Sequence, residues 1–95
     1  MVKIYKYEIN PRGVVELKGR FAGPLKVGWI KDKLYVWILV SEELRESMLT
    51  VYSIPTGYEF YLTEKMRYID TVQEDDYIWH IFYELDADKC ERGKH

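Results

Sequence analysis

Apolar and polar residues alternate along most of this chain with a period of two, the repeat of a half-buried β-strand. Two stretches carry the pattern most clearly: Lys26 to Val40, K-V-G-W-I-K-D-K-L-Y-V-W-I-L-V, and Met66 to Leu85, M-R-Y-I-D-T-V-Q-E-D-D-Y-I-W-H-I-F-Y-E-L. Each sets β-branched and aromatic residues on both sides of a short polar interruption, the signature of paired antiparallel strands.

From the N-terminus, a first strand is predicted over Lys3 to Ile9, with Tyr5, Tyr7 and Ile9 on one face and Ile4, Lys6 and Glu8 on the other. Asn10-Pro11-Arg12-Gly13 supplies turn chemistry, because proline fixes φ and glycine permits φ > 0. A second strand follows over Val14 to Arg20, in which Val15, Leu17 and Phe21 alternate against Glu16, Lys18 and Arg20. Gly23-Pro24 is expected to break the chain before Leu25, Val27 and Trp29 resume the alternation, and Lys31-Asp32-Lys33 to turn it back into Leu34 to Val40. In that next strand Leu34, Val36 and Ile38 face one way and Tyr35, Trp37 and Leu39 the other, so it is apolar on both faces and belongs in the middle of a sheet.

Ser41 is placed to cap a short helical turn over Glu42 to Ser47, with acids in its first turn. A fifth strand is predicted over Met48 to Ile54, ended by Pro55-Thr56-Gly57, and Tyr58 to Lys65 reads as a short edge strand or an ordered loop. Strands over Met66 to Val72 and Tyr77 to Leu85 close on a turn at Gln73 to Asp76. Periodicity fades from Asp86 onward, which divides the chain into a single domain, residues 1–86, and a flexible C-terminal tail, residues 87–95. Seven short strands with almost no helix indicate an all-β fold, an antiparallel sandwich or a small barrel.

A length of 95 residues suits one domain able to bury about two thirds of its unfolded surface. No apolar run reaches the roughly 18 residues of a membrane span, and no signal-peptide pattern opens the chain. Cys90 is the lone cysteine, which excludes an intrachain disulfide and a thiolate metal cluster and agrees with a cytoplasmic location. The formal charge of −2 hides an asymmetry: residues 1–33 carry eight Lys or Arg against three acids, and residues 34–91 carry four against thirteen. Pairing of basic with acidic strands explains this, as does a bipolar surface that steers a charged partner or a second copy.

In order, Lys6-Tyr7-Glu8-Ile9, Val15-Glu16-Leu17, Leu25-Lys26-Val27, Leu34-Tyr35-Val36-Trp37-Ile38-Leu39-Val40, Thr56-Gly57, Tyr68-Ile69-Asp70-Thr71-Val72 and Trp79-His80-Ile81-Phe82 form a further pattern. It resembles a group of short bacteriophage and prophage proteins of unknown function that run K-Y-E-L, T-I-E-L, L-W-A-L-V, G-T-G, Y-I-G-T and V-W-H-V-F. The resemblance spans residues 3–85 and implies a viral context and a fold, with no catalytic residue to transfer. This chain has Asp32-Lys33 where that group has an Asn-Gly hairpin, and Pro55-Thr56-Gly57-Tyr58-Glu59 where it has G-T-G and a His-Pro pair.

Candidate chemistry is sparse. His80, on a strand face with Ile78 and Phe82, has no Ser-His-Asp or Cys-His partner at a readable spacing, so a packed, hydrogen-bonded histidine is the leading expectation. Glu74, Asp75 and Asp76 are adjacent on a turn and do not converge as the alternating ligands of a calcium loop do; Asp86, Asp88, Cys90 and Glu91 read as a polar tail. No cofactor or metal is expected.

The aromatics say more. Trp37 and Trp79 are expected in the core, whereas nine tyrosines exceed what so small a protein can bury with satisfied hydroxyls, so some must reach the surface and offer contact area. The expectation is a non-enzymatic binding module in the host-cell cytoplasm, acting on a host or phage protein or on itself, without membrane contact. Tyr5, Tyr7, Lys26, Trp29, Lys31, Tyr35 and His80 are the candidate contact residues. The alternative is a small-ligand or single-stranded nucleic-acid binder that uses Lys26, Trp29, Lys31 and Tyr35, in a basic setting that includes Lys3, Lys6, Lys18 and Arg20. An enzyme with an unfamiliar site around His80 is a third reading.

Overall fold

In the computed structural model, which describes residues 1–87, seven strands follow one another: β1 (Lys3–Ile9), β2 (Val14–Gly19), β3 (Phe21–Ile30), β4 (Lys33–Val40), β5 (Ser47–Pro55), β6 (Arg67–Glu74) and β7 (Tyr77–Asp86). They form two sheets, one ordered β1-β4-β3 and the other β2-β5-β7-β6, and every paired neighbour is antiparallel. No helix forms within residues 1–86. The fold is thus all-β as the period-two pattern predicts, and of the two architectures expected, sandwich or small barrel, it is the sandwich.

The inner faces meet in one core. Val27, Leu34, Val36 and Ile38 from the three-stranded sheet pack against Leu49, Val51 and Ile81 from the four-stranded sheet, all fully buried, and Ile9, Phe21, Val72 and Trp79 extend the cluster. Strand β4 is central in its sheet, as its apolar faces require.

Around the sandwich the strands follow a ring, β1-β4-β3 and then β6-β7-β5-β2, closed at one seam by the β1–β2 turn. At that turn the Asn10 side chain accepts a bond from the Arg12 amide at 2.9 Å. At the opposite seam the Val27 amide of β3 donates to Asp70 Oδ2 of β6 at 3.3 Å, so a carboxylate serves an edge amide that no strand pairs. Beyond the β1–β2 turn, the chain changes sheets at Arg20, between β2 and β3, and again through residues 41–46. These two crossovers are tied together. The Ser41 amide donates to the Arg20 carbonyl at 3.0 Å, Arg20 Nη1 to the Leu44 carbonyl at 2.6 Å, and Ser47 Oγ to the Gly19 carbonyl at 3.3 Å. A Cβ on Gly19 would lie 2.7 Å from the buried Phe21 ring, so glycine lets this corner close over Phe21. That ring in turn meets Tyr7 edge-on at 5.8 Å.

Several sequence expectations need correction. Gly23-Pro24 does not break the chain: β3 runs through it, with register shifts between Phe21 and Gly23 and between Pro24 and Lys26. Because β3 is an edge strand, the missing proline donor removes no ladder bond that the sheet needs, and Gly23 takes a φ of +154° in the bulge. Ser41 to Ser47 is not helical; the Ser41 side chain accepts from the Glu43 amide at 3.3 Å in a single turn, and Ser47 already belongs to β5.

Strand β2 ends at Gly19, one residue before the corner. Both β-hairpins are tighter than expected, with two loop residues each, Lys31-Asp32 and Asp75-Asp76. Lys31 and Asp75 sit at φ +57° and +53°, where asparagine or glycine is the usual choice. Tyr58 to Lys65 is a loop, and Asp86 is still in β7, with its carboxylate 3.7 Å from Lys65 Nζ. Trp37 is not in the core: it is half-buried on the outer face of β4, whereas Trp79 is buried as expected. Of the tail expected at 87–95, residues 88–95, with Cys90 and His95, lie outside the described residues.

Candidate functional site

The seven candidate contact residues fall in several places. Tyr5 and Tyr7 lie on the inner side of β1 toward the open end of the sandwich, where with Lys3, Arg20, Val40 and Ser41 they line a groove of about 600 Å³. Lys26 and Tyr35 share the outer face of the three-stranded sheet. Trp29 points the other way and packs against the core, while Lys31 stands at the hairpin tip. His80 is on the outer face of the four-stranded sheet, across the molecule.

Strand register builds the outer face of the three-stranded sheet rung by rung. Trp37 on central β4 is flanked by Lys6 of β1 and Lys26 of β3, and the next rung places Tyr35 between Glu8 and Gly28. Lys6 Nζ lies 4.7 Å from the Tyr35 ring centroid, a cation–π contact. Lys33 Nζ approaches Glu8 at 3.9 Å between exposed side chains. The Tyr35 and Trp37 rings are 6.4 Å apart and tilted by 56°, so neither covers the other. The sequence suggests Lys6 only for the wider basic setting and Trp37 for the core, although Trp37 shares the parity of Tyr35 along the strand.

The outer face of the four-stranded sheet is partly covered. After Gly57, which turns at φ +92°, residues 58–66 cross it as a loop and Phe60 packs on Phe82 with ring centroids 5.6 Å apart, while Tyr68 meets Phe82 from the side at 5.8 Å. The loop is pinned by the Met66 amide donating to the Thr63 carbonyl at 3.3 Å and by Arg67 Nη1 donating to the Glu64 carbonyl at 2.7 Å. Thr63 Oγ1 and the Tyr52 hydroxyl both donate to Glu84 Oε1, at 3.3 and 3.0 Å. Burial, and then the Glu84 carboxylate as acceptor and neighbouring charge, with Glu16 beyond it, push the Tyr52 phenol above its ordinary range.

His80 sits in a chain of hydroxyls on the same face. Its Nε2 shares a hydrogen bond with Thr56 Oγ1 at 2.7 Å and its Nδ1 one with Thr71 Oγ1 at 3.3 Å, and Thr71 Oγ1 shares another with the Tyr68 hydroxyl at 2.5 Å. Both ring nitrogens are thus engaged by threonines, with no carboxylate in the chain to orient the imidazole. Among the described residues no group of three His, Cys, Asp or Glu side chains comes together to hold a metal ion, and the Glu74-Asp75-Asp76 tip is exposed.

The most exposed aromatic segment is one the candidate residues omit. Tyr58, Phe60, Tyr61 and Leu62 in the covering loop are 70%, 44%, 93% and 67% exposed. Phe60 spends its ring on Phe82; the other three project outward. The signal in sequence is Phe60-Tyr61-Leu62, three consecutive apolar residues with no alternation to bury them.

A family model described as Domain of unknown function (DUF7352) matches residues 1–90. No curated protein and no solved structure matches the chain. Among the described residues no helix is long and apolar enough to cross a membrane.

Proposed function

Because the chain belongs to the DUF7352 family, whose description assigns no activity, we propose from its own surface that it is a non-enzymatic binding module acting through protein–protein contacts. The observation that carries this reading is the loop bearing Tyr58, Tyr61 and Leu62, pinned at its base and apolar at its crest. Exposed tyrosine and leucine side chains on a held backbone give contact area at little entropic cost, which is how protein interfaces are anchored. The partner is a protein with an apolar cleft, from a host or a phage, or a second copy of this chain. The order of short motifs shared with phage and prophage proteins supports an infected-cell setting, and a single cysteine fits the cytoplasm. Engagement of both His80 nitrogens by threonine hydroxyls supports a structural part for that residue.

The test is photo-crosslinking in cells from a reactive side chain placed at position 61, compared with one at Lys18 on β2. A discrete adduct from position 61, lost on Leu62→Asp, is the expected outcome. Equal adducts from both positions, or none from either, would overturn the reading.

A further inference from the structure

The outer face of the three-stranded sheet has a different character from the aromatic loop, and its chemistry points to a different ligand. We propose that it binds single-stranded nucleic acid, with bases stacked on Trp37 and Tyr35 and phosphates held by Lys6 and Lys26. This site is independent of the protein-binding reading of the loop.

Four observations converge. First, one rung of the sheet reads Lys6, Trp37, Lys26, which sets a lysine on each side of an indole. Adjacent strands are about 4.8 Å apart, so the two lysine stems straddle the ring as backbone-binding groups must when a base lies on it. Second, Tyr35 follows Trp37 on the same face, with its ring neither stacked on the indole nor buried. Two successive platforms are therefore available to two bases. Third, the β3 side of that second rung is Gly28, where an added Cβ would meet the Trp37 ring at 3.6 Å and the Lys26 stem at 3.8 Å; with no side chain there, the indole edge lies against the β3 backbone beside Lys26. Fourth, the face is locally basic in an acidic protein: Lys6, Lys26 and Lys33 share it with Glu8, which Lys33 already approaches, while the nearby Asp70 carboxylate is engaged by the Val27 amide at the β3 edge and Asp32 lies in the hairpin loop. The acids of residues 42–46 and 75–76 lie in turns and Glu74 at the end of β6.

Charge complementarity selects a polyanion, and the exposed rings select one with free π-faces. Duplex DNA offers the first without the second, since its bases are stacked on one another. An acidic peptide offers no ring for each platform. On binding, Lys6 leaves the Tyr35 ring, 4.7 Å away in the free protein, for a phosphate, and a base takes its place. The chemistry does not distinguish RNA from DNA, since both present the same base faces and phosphates.

The experiment is a titration of the full chain with fluorescently labelled oligothymidylate and oligouridylate 12-mers, read by anisotropy and tryptophan quenching across a salt series. Binding at low salt is expected, with an affinity that falls as salt rises on a log–log slope of about −0.7 per phosphate neutralised. The double substitution Lys6→Gln and Lys26→Gln should reduce that slope by about 1.4. Trp37→Ala should weaken binding by about tenfold, the loss of one stacked base, and Trp37→Phe should recover part of it. Because Trp37→Ala also removes packing, Gly28→Val supplies a second probe that crowds the Trp37 ring and the Lys26 stem and should weaken binding in a folded protein. Tyr61→Ala should leave oligonucleotide affinity unchanged. No binding at low salt overturns the proposal, as do equal affinity for a 12-base-pair duplex, binding of anionic vesicles or poly-glutamate in preference to the oligonucleotides, or an affinity unmoved by both Trp37→Ala and Gly28→Val.

Discussion

The outer faces of the two sheets are made from the same kinds of residue, rings beside polar and charged groups, and put them to different uses. On the four-stranded sheet these groups are consumed by the protein itself: Phe82 lies between Phe60 and Tyr68, Glu84 accepts from Tyr52 and Thr63, and His80 bridges Thr56 and Thr71. On the three-stranded sheet Trp37, Tyr35, Lys6 and Lys26 meet one another loosely and face water. A ring stacked under a loop stabilises the fold. A ring left half-exposed between two lysines contributes less to stability and remains available. Composition alone does not separate the two conditions; what separates them is a loop of ten residues, 57–66, that crosses one face.

Four measurements break or sharpen this contrast. The largest effect belongs to the shared interior: Ile38→Ala and Ile81→Ala, one from each sheet and both fully buried, should each cost about 2–5 kcal/mol in urea unfolding. A large disparity between them would mean that the sheets do not share one core. Next, Phe60→Ala should cost roughly 1–2 kcal/mol, from the Phe82 stack and the area it covers, and should make the 57–66 loop sensitive to protease. Unchanged stability and protection would show that the loop is not a cover.

Third, Tyr52→Phe should cost about 1 kcal/mol at neutral pH through the lost bond to Glu84. It should also change the alkaline limb. The phenol is raised in the folded state, so its contribution is fully present below the unfolded value of about 10 and is lost as pH rises through the folded value, where the unfolded chain has already ionised. Melting temperature against pH should therefore fall less steeply above pH of about 10 in Tyr52→Phe than in the wild type. Equal slopes would contradict the assignment. Smallest of all, Lys6→Ala and Lys26→Ala should each change stability by no more than about 0.5 kcal/mol. A loss well above that would mean that the lysines serve the fold and are not held in reserve.

Much of the architecture is legible in the sequence because burial on one face writes a period of two. Leu34, Val36 and Ile38 group on one face, and the apolar residues between them announce a central strand. The errors come where one residue serves two geometries. Gly23-Pro24 is a breaker in a central strand and a bulge on an edge, and edge position is a property of the whole sheet. Trp37 lies on a strand apolar on both sides, where alternation says which residues go together and not which group goes inward. The grouping of Lys26 with Trp29 fails for a simpler reason, since residues three apart on a strand face opposite ways. Trp37, on the face of Tyr35, is the aromatic that register brings beside Lys26. The loop at 58–65 is hard to place from sequence because Phe60 packs on the face of a sheet, against the distant Phe82, a contact that local pattern does not record.

Strand order also dictates what the ribosome exposes. β1 waits for β4, β2 waits for β5, and β3 finds its neighbour when β4 emerges. Until Val40 has left the exit tunnel, the nascent polypeptide is a run of three unmated strands with their amides and apolar side chains open to the cell. Slow translation through β1 to β4 therefore lengthens the time at risk of aggregation, whereas a pause after β4 lets the first sheet assemble while β2 still waits for β5.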